Sequence, residues 1–228
     1  EKKTGKYYAF TKGALESVLP LCDMEENIRQ GMKHKNDEMA LSALRVLAFA
    51  YREVSKEEIF SNHHKEVHAE KIEQNLHFLG MLGMIDPPRE EVKEAVRLTQ
   101  KAGIRIYVIT GDNGLTAKAI TESVGITRGL QTRIITGTEL ETLSDEMLKE
   151  LFQKKEEIIF ARVNPGHKLR IVEALKALGE VVAVTGDGVN DAPALKRADI
   201  GVAMGQTGTD VSREAANMVL MDDSFATI

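Results

Sequence analysis

From Asp86 onward the chain alternates short apolar runs with longer segments in which apolar residues return every three or four positions. Runs rich in Val and Ile are what parallel strands buried on both faces look like, while the wider spacing marks amphipathic helices. The pattern predicts strands at 104–109, 158–161, 181–184, 200–203 and 218–221, separated mostly by helices. That repetition is the signature of an α/β fold with a doubly wound parallel sheet. Pro87 and Pro88 are expected to open a helix with Glu90 and Glu91 in its first turn, Val92, Ala95 and Val96 as its apolar stripe, and Gly103 as its stop. Leu169, Val172, Leu175 and Leu178 give a second helix, begun at Pro165, its buried side.

Upstream of residue 83 the pattern differs. It predicts part of an α+β unit: a strand at 7–11, a helix over 14–21, another near 36–44, then strands VLAFAYR (46–52) and LHFLGML (76–82). The charged stretch Ser55 to Asn75 contains His63, His64 and His68, two of them four apart as a helical metal pair would be. Lys and Glu crowd the same segment and no third ligand stands out, so a solvated excursion is expected.

Composition narrows the classes. At 228 residues and 43% apolar content the chain can bury one large core or two modest ones. A formal net charge of -5 argues against a nucleic-acid partner, which would require a basic face. The single cysteine, Cys22, offers no disulfide and points to a reducing compartment. No run reaches the ~18 apolar residues of a membrane span, so any membrane part is expected outside these residues. Met81, Met84, Met204, Met218 and Met221 read as core filling.

The chemistry gathers where strands end. Val181 to Lys196, VVAVTGDGVNDAPALK, runs four apolar residues into a glycine-spaced acidic turn, and Ile106 to Asn113, IYVITGDN, repeats the device. Ligands in open α/β sheets bind outside the carboxyl ends of the strands, so Thr110, Asp112, Thr185 and Asp187 are expected on one rim. Glycine at 111, 186 and 188 would permit positive φ and close approach of backbone amides to an anion. Asp187 is a hard oxygen ligand of the kind Mg²⁺ takes, one or two carboxylates with water and phosphate completing the shell. A lone Thr-Gly-Asp is more simply a helix cap; the paired copies favour a shared phosphate and magnesium site. Ile158 to Lys168, IIFARVNPGHK, adds a lysine in the first turn of the Pro165 helix, able to neutralise a phosphoryl group, although a helical lysine is ordinarily solvated.

Together TGDGVNDAPALKRADIGVAMG (185–205), TGDN (110–113), DPPRE (86–90), ARVNPGHK (161–168) and KGA (12–14) resemble the cytoplasmic catalytic part of a P-type cation-transporting ATPase, within the haloacid dehalogenase superfamily. The segment around DPPR looks more like type II, calcium-pump-like enzymes than heavy-metal pumps. The resemblance covers nearly the whole chain and implies its division into the C-terminal part of a nucleotide-binding domain, 1–83, and a phosphorylation domain, 84–228.

By that resemblance, Thr110 and Gly111 hold the transferred phosphoryl oxygens, Lys168 bridges phosphoryl group and nucleophile, Asp187 binds Mg²⁺, and Asn190 and Asp191 complete the phosphate end. Lys12 and Gly13 lie beside the adenine of ATP, and Arg45 of ALRVLAFA reaches its phosphates or ribose. Asp112, and Arg162 of the ARVNPGHK segment, belong with the nucleotide. Asp86 and Arg89 sit at a hinge that closes the nucleotide domain. The implied reaction is ATP phosphorylation of an aspartate, then hydrolysis of the acyl phosphate, coupled to cation movement at the cytoplasmic face of a membrane. The implied partners are ATP and the rest of a pump: membrane helices, an actuator domain and a nucleophile segment.

One departure matters. The family's nucleophile lies in an Asp-Lys-Thr-Gly-Thr segment ending a central strand, and these residues contain none; the only Lys-Thr-Gly, Lys3 to Gly5, follows Lys2. Covalent catalysis through an aspartyl phosphate needs that carboxylate, so the chain is expected to be inactive alone. Its sheet is expected to have an unpaired edge, open to association, where the strand would lie. A catalytically dead nucleotide-binding or regulatory module, or a soluble haloacid dehalogenase phosphatase, are the alternatives.

Overall fold

Alternation in Tyr7–Gly13 makes it the first strand, β1, of an antiparallel sheet completed by β2 (Arg45–Val54) and β3 (His77–Met84), in the order β1-β2-β3. The computed structural model describes residues 5–59, 72–129, 131–154 and 156–228, and the chain separates into two compact units, Glu1–Asp86 and Pro87–Ile228. In the first unit, Ala48 and Ala50 turn one sheet face onto Leu15, Val18, Leu19 and Leu76, with Phe78 and Met81 at the margin. Those residues come from α1 (Leu15–Val18), the 3₁₀ turn Leu19–Leu21 and the approach to β3.

Among the described residues nothing covers the other face. Phe10 stands opposite Tyr51, which stands opposite His77, and the Phe10 and Tyr51 rings stack with centroids 6.1 Å apart. Phe10 is 73% exposed and Leu79 58%. A bulge between Phe49 and Ala50 shifts the β2-β3 register. Helix α2 (Glu26–Leu41) begins ten residues before the expected position near 36. Its first turns carry only a thin apolar stripe, with Ile28 exposed and Met32 packed at the margin of this core, and Arg29 anchors them as well, donating to the carbonyls of Leu19 and Cys22. Helix α3 (Lys56–Ile59) follows β2. His63, His64 and His68 lie outside the described residues.

The second unit is α/β with parallel strands, as predicted, but the strands divide between two sheets. One contains β4 (Val108–Ile109), β5 (Arg133–Thr136) and β6 (Ile158–Ala161) in the order β4-β6-β5. The other contains β7 (Ala183–Gly186), β8 (Ile200–Met204) and β9 (Met218–Leu220) in the order β7-β8-β9. Their connections are α4 (Val92–Lys101), α5 (Gly114–Val124), α6 (Gly137–Thr142), α7 (Asp145–Gln153), α8 (Pro165–Ala177), α9 (Ala192–Arg197) and α10 (Asp210–Ala215).

One apolar core joins both sheets. Phe152, Phe160, Ile171 and Leu195 are essentially sealed from solvent, and Val182, Val184, Tyr107 and Ile109 pack into the same cluster. Two of the four edge strands, β4 and β7, depart from the apolar runs that predict them. The run 104–109 yields only Val108–Ile109, and the run 181–184 yields a strand displaced to 183–186. Among the described residues each pairs with a strand on one side only, and the residues ahead of it bond outside the ladder: the Ile104 amide donates to the Thr99 carbonyl and the Val182 amide to the Asp199 carboxylate, while Ile104 is 58% exposed and Val181 82%. Pro87 and Pro88 precede the helix instead of opening it; α4 starts at Val92 and ends ahead of Gly103, whose φ of +79° terminates it.

Candidate functional site

Two loops, at the carboxyl ends of β4 and β7, and the first turn of α8 hold most of the predicted residues. After β4 the Thr110 amide donates to the Phe160 carbonyl at 2.8 Å, and Thr110 Oγ1 accepts from the Asp112 amide at 3.0 Å. This hydroxyl turn folds Thr-Gly-Asp over itself. Asn113 then caps α5, its Oδ1 accepting from Leu115 N at 2.8 Å. The turn after β6 grips the same loop. Arg162, at φ +54°, donates from its amide to the Asp112 carbonyl and from its guanidinium to the Gly111 carbonyl, each at 3.2 Å. Thr110, Gly111, Asp112 and Arg162 are thus brought together.

Lys168 follows six residues later on α8 and turns to the other loop. Its Nζ donates to Asp191 Oδ1 at 2.8 Å and to the Thr185 carbonyl at 3.0 Å. The side chain is only 15% exposed, so the solvated reading of this lysine does not hold. Asp191 Oδ2 accepts from the amides of Asp187 and Gly188, both at 3.1 Å. Burial pushes the Asp191 carboxyl up, but the Lys168 ammonium and the Gly188 and Asp187 amides outweigh it and hold the group below the usual aspartate range.

Asp187 differs from Asp191. Its carbonyl accepts from Thr209 N at 2.8 Å and Ser212 Oγ at 3.1 Å, which locks the backbone. Its carboxylate is exposed and makes no hydrogen bond among the described residues. Asn190 is exposed beside it. A fixed main chain carrying an uncommitted carboxylate suits Mg²⁺, which takes few protein ligands and fills its shell with water and phosphate oxygens. No group of three His, Cys, Asp or Glu among the described residues is placed to cage a metal.

The glycines act differently from the sequence expectation. None of Gly111, Gly186 and Gly188 has positive φ. Gly186 is required for space: a β-carbon there would lie 2.5 Å from Asp191 Cβ. At Gly188 the nearest neighbour would be 3.7 Å away.

The remaining predicted residues lie elsewhere. Lys12, Gly13 and Arg45 belong to the first unit; strand register puts Lys12 opposite Phe49 and Arg45 opposite Met84, on the open face with Phe10 and Tyr51. Asp86 is exposed and ends that unit. Arg89 donates to the carbonyl of Asp223 at 3.1 Å, within the second unit. Sequence reading missed Thr209 and Ser212, although Thr-x-x-Ser before a helix is a cap signal, and the wholly buried Ser212 could have been found by it.

Comparison with known proteins adds a family. Residues 1–91 match the model of the P-type ATPase cytoplasmic domain N, and 153–225 match the haloacid dehalogenase-like hydrolase model. A calcium-transporting ATPase of Bacillus cereus is 45% identical over 97% of this chain and 25% of its own length. One of Plasmodium falciparum is 41% identical over all of this chain and 20% of its own length. A cation-transporting ATPase of Synechocystis sp. is 46% identical over 96% of this chain and 24% of its own. The chain therefore spans a fifth to a quarter of these curated relatives. No helix among the described residues is long and apolar enough to cross a membrane.

Proposed function

The chain belongs to the P-type cation-transporting ATPases of the haloacid dehalogenase superfamily, and from that membership we propose that it is the nucleotide-binding and phosphoryl-transfer part of an ion pump working through an aspartyl phosphate. The observation that carries the reading is a pair of strand edges with no partner among the described residues. The strands that deliver Thr110 and Asp187, β4 and β7, are each the outer strand of a three-stranded parallel sheet, yet both contribute to one core. A parallel strand between them would satisfy both rows of backbone groups and bring its own carboxyl end out on the same rim.

An aspartate at the end of that strand is the phosphoryl acceptor in this reading. Lys168, already turned to this rim, neutralises the charge that gathers on the transferring group, the kind of preorganised stabilisation worth about 3 to 4 kcal/mol for one donor in other enzymes. The Thr110 hydroxyl and Gly111 amide receive phosphoryl oxygens, and Asn190 and Asp191 close the phosphate end. Asp187 holds Mg²⁺, which supplies charge neutralisation and orientation of phosphate oxygens when bound. Lys12, Gly13 and Arg45 are read as nucleotide-binding residues of the first unit, Asp112 and Arg162 as nucleotide-binding residues of the second, and Asp86 and Arg89 as hinge residues.

Residues 1–228 contain no Asp-Lys-Thr-Gly-Thr, so by this reading they bind nucleotide and magnesium weakly and turn over nothing by themselves. The remainder of the pump supplies the acceptor strand, the actuator domain and the membrane helices whose ligands choose the ion. Titration calorimetry with ADP, with and without Mg²⁺, tests the assignment. Asp187→Ala should remove the magnesium dependence and Lys12→Ala should weaken nucleotide binding; a magnesium dependence unchanged by Asp187→Ala would remove Asp187 from the site.

A further inference from the structure

Asn164, His167 and Glu141 form a relay of contacts leading to Lys168. Asn164 caps α8: its Oδ1 accepts from the His167 amide at 3.0 Å, and its own amide donates to His167 Nδ1 at 3.2 Å. The second arm of such a box is ordinarily a Glu or Gln oxygen; here a ring nitrogen replaces it. A backbone amide can only donate, so Nδ1 must be unprotonated and the ring proton must sit on Nε2. Nε2 lies 3.1 Å from Glu141 Oε1, on α6, and 3.4 Å from Asn164 Nδ2; carrying the ring proton, it donates to the carboxylate, and the longer Asn164 Nδ2 contact is then no hydrogen bond. An imidazolium, carrying protons on both nitrogens, would break the box and place a cation at a helix N-terminus.

Packing holds the ring in that orientation. His167 is 9% exposed and rests on Gly137, the first residue of α6. A β-carbon at Gly137 would stand 3.1 Å from ring atoms Cε1 and Nδ1, and 2.4 Å from the Arg162 carbonyl. Lys168 is the next residue, its amide donating to the Asn164 carbonyl at 3.2 Å. The turn that the box closes thus fixes the backbone from which Lys168 reaches Asp191 and the Thr185 carbonyl.

We propose that His167, held as the neutral Nε2-protonated imidazole by Asn164 and Glu141, is a positioning residue for Lys168. The role of Lys168 toward a phosphoryl group rests on the reading above; its placement by His167 is testable without it. Misplacement of a reacting cation by about 1 Å costs on the order of 100-fold in rate, so a box next to that cation has functional weight.

Two measurements on this chain decide the matter. Two-bond ¹⁵N–¹H spectra of histidine-labelled protein at pH 7 should show His167 neutral with its proton on Nε2; a proton on Nδ1, or on both nitrogens, overturns the proposal. Competitive acetylation then reads how well Lys168 Nζ is held, against exposed Lys196 as internal reference. His167→Ala should raise Lys168 labelling about fivefold, the equilibrium value of one lost cap. His167→Gln, which restores an oxygen at the third helical position, should stay within about twofold of the unsubstituted protein. Unchanged labelling in a cooperatively melting His167→Ala chain, or a His167→Gln chain as open as the alanine one, contradicts it. If the alanine variant does not fold, the tautomer and the glutamine variant still support or overturn the placement. Loss or retention of orthovanadate binding in Lys168→Met tests the phosphoryl reading separately.

Discussion

Lys168 Nζ lies 2.8 Å from Asp191 Oδ1, and the other Asp191 oxygen accepts two loop amides. One carboxylate thus ties the first turn of α8 to the turn that follows β7, and it is committed to that task. The nearby Asp187 carboxylate is not, which is why the two aspartates of the GDGVND run are assigned different work.

Acid should loosen this knot in a defined window. Asp191 has a folded pKa below the ordinary value of about 3.9, so its stabilising contribution is complete above that value and is lost as pH falls through the folded pKa. Urea unfolding of Asp191→Asn should show a flatter loss of stability below pH 4 than the unsubstituted chain. Parallel curves would mean the carboxylate is no better stabilised folded than unfolded.

Removing the cation leaves the half-buried carboxylate with amides alone. Lys168→Met should cost about 1 to 3 kcal/mol at pH 7, the range for an uncompensated hydrogen-bonded charge outside the deepest interior. The midpoint of chemical unfolding measures it, and the cost should shrink as Asp191 is protonated.

Glycine substitutions separate space from conformation. Gly186→Ala would drive its β-carbon to 2.5 Å from Asp191 Cβ and should destabilise by about 1 to 3 kcal/mol, the usual penalty of overpacking. Gly188→Ala meets nothing closer than 3.7 Å, at an ordinary φ of -101°, and should be near neutral. Equal thermal shifts in the two variants would refute the spatial argument.

Asp223 makes a second acid-sensitive turn. Its carboxylate accepts from the amides of Gln206 and Thr207, at 2.9 and 2.8 Å, and its pKa is drawn down to about 2, chiefly by the Gln206 amide. Its contribution is therefore present above the ordinary value of about 3.9 and lost toward pH 2. Asp223→Ala should erase protection of the Gln206 and Thr207 amides from hydrogen exchange at pH 6; retained protection would assign the turn to the backbone alone.

Much of this was legible in the residues, for reasons that also explain the rest. Ile158–Ala161 is buried on both faces and paired on both sides, so its apolar run and its strand coincide. The runs at 104–109 and 181–184 are as apolar, but each strand has only one neighbour, and periodicity cannot report a missing partner. Arg133–Thr136 was not predicted, because four residues beginning with an arginine give no period. At the candidate site the loop motifs and Lys168 were found by residue type and spacing. The different tasks of Asp187 and Asp191, the holding of the Asp187 carbonyl by Thr209 and Ser212, and the box around His167 are contacts between segments distant in sequence or packed in one turn, which spacing alone does not show.

The central claim is an acceptor strand that belongs between β4 and β7, and one measurement addresses it directly. The chain is incubated with radiolabelled ATP and Mg²⁺, quenched in acid and treated with hydroxylamine, beside a longer polypeptide that adds an Asp-Lys-Thr-Gly-Thr strand. The account predicts hydroxylamine-released label in the longer polypeptide and none in residues 1–228. Released label in residues 1–228 themselves, or none in either, would contradict it.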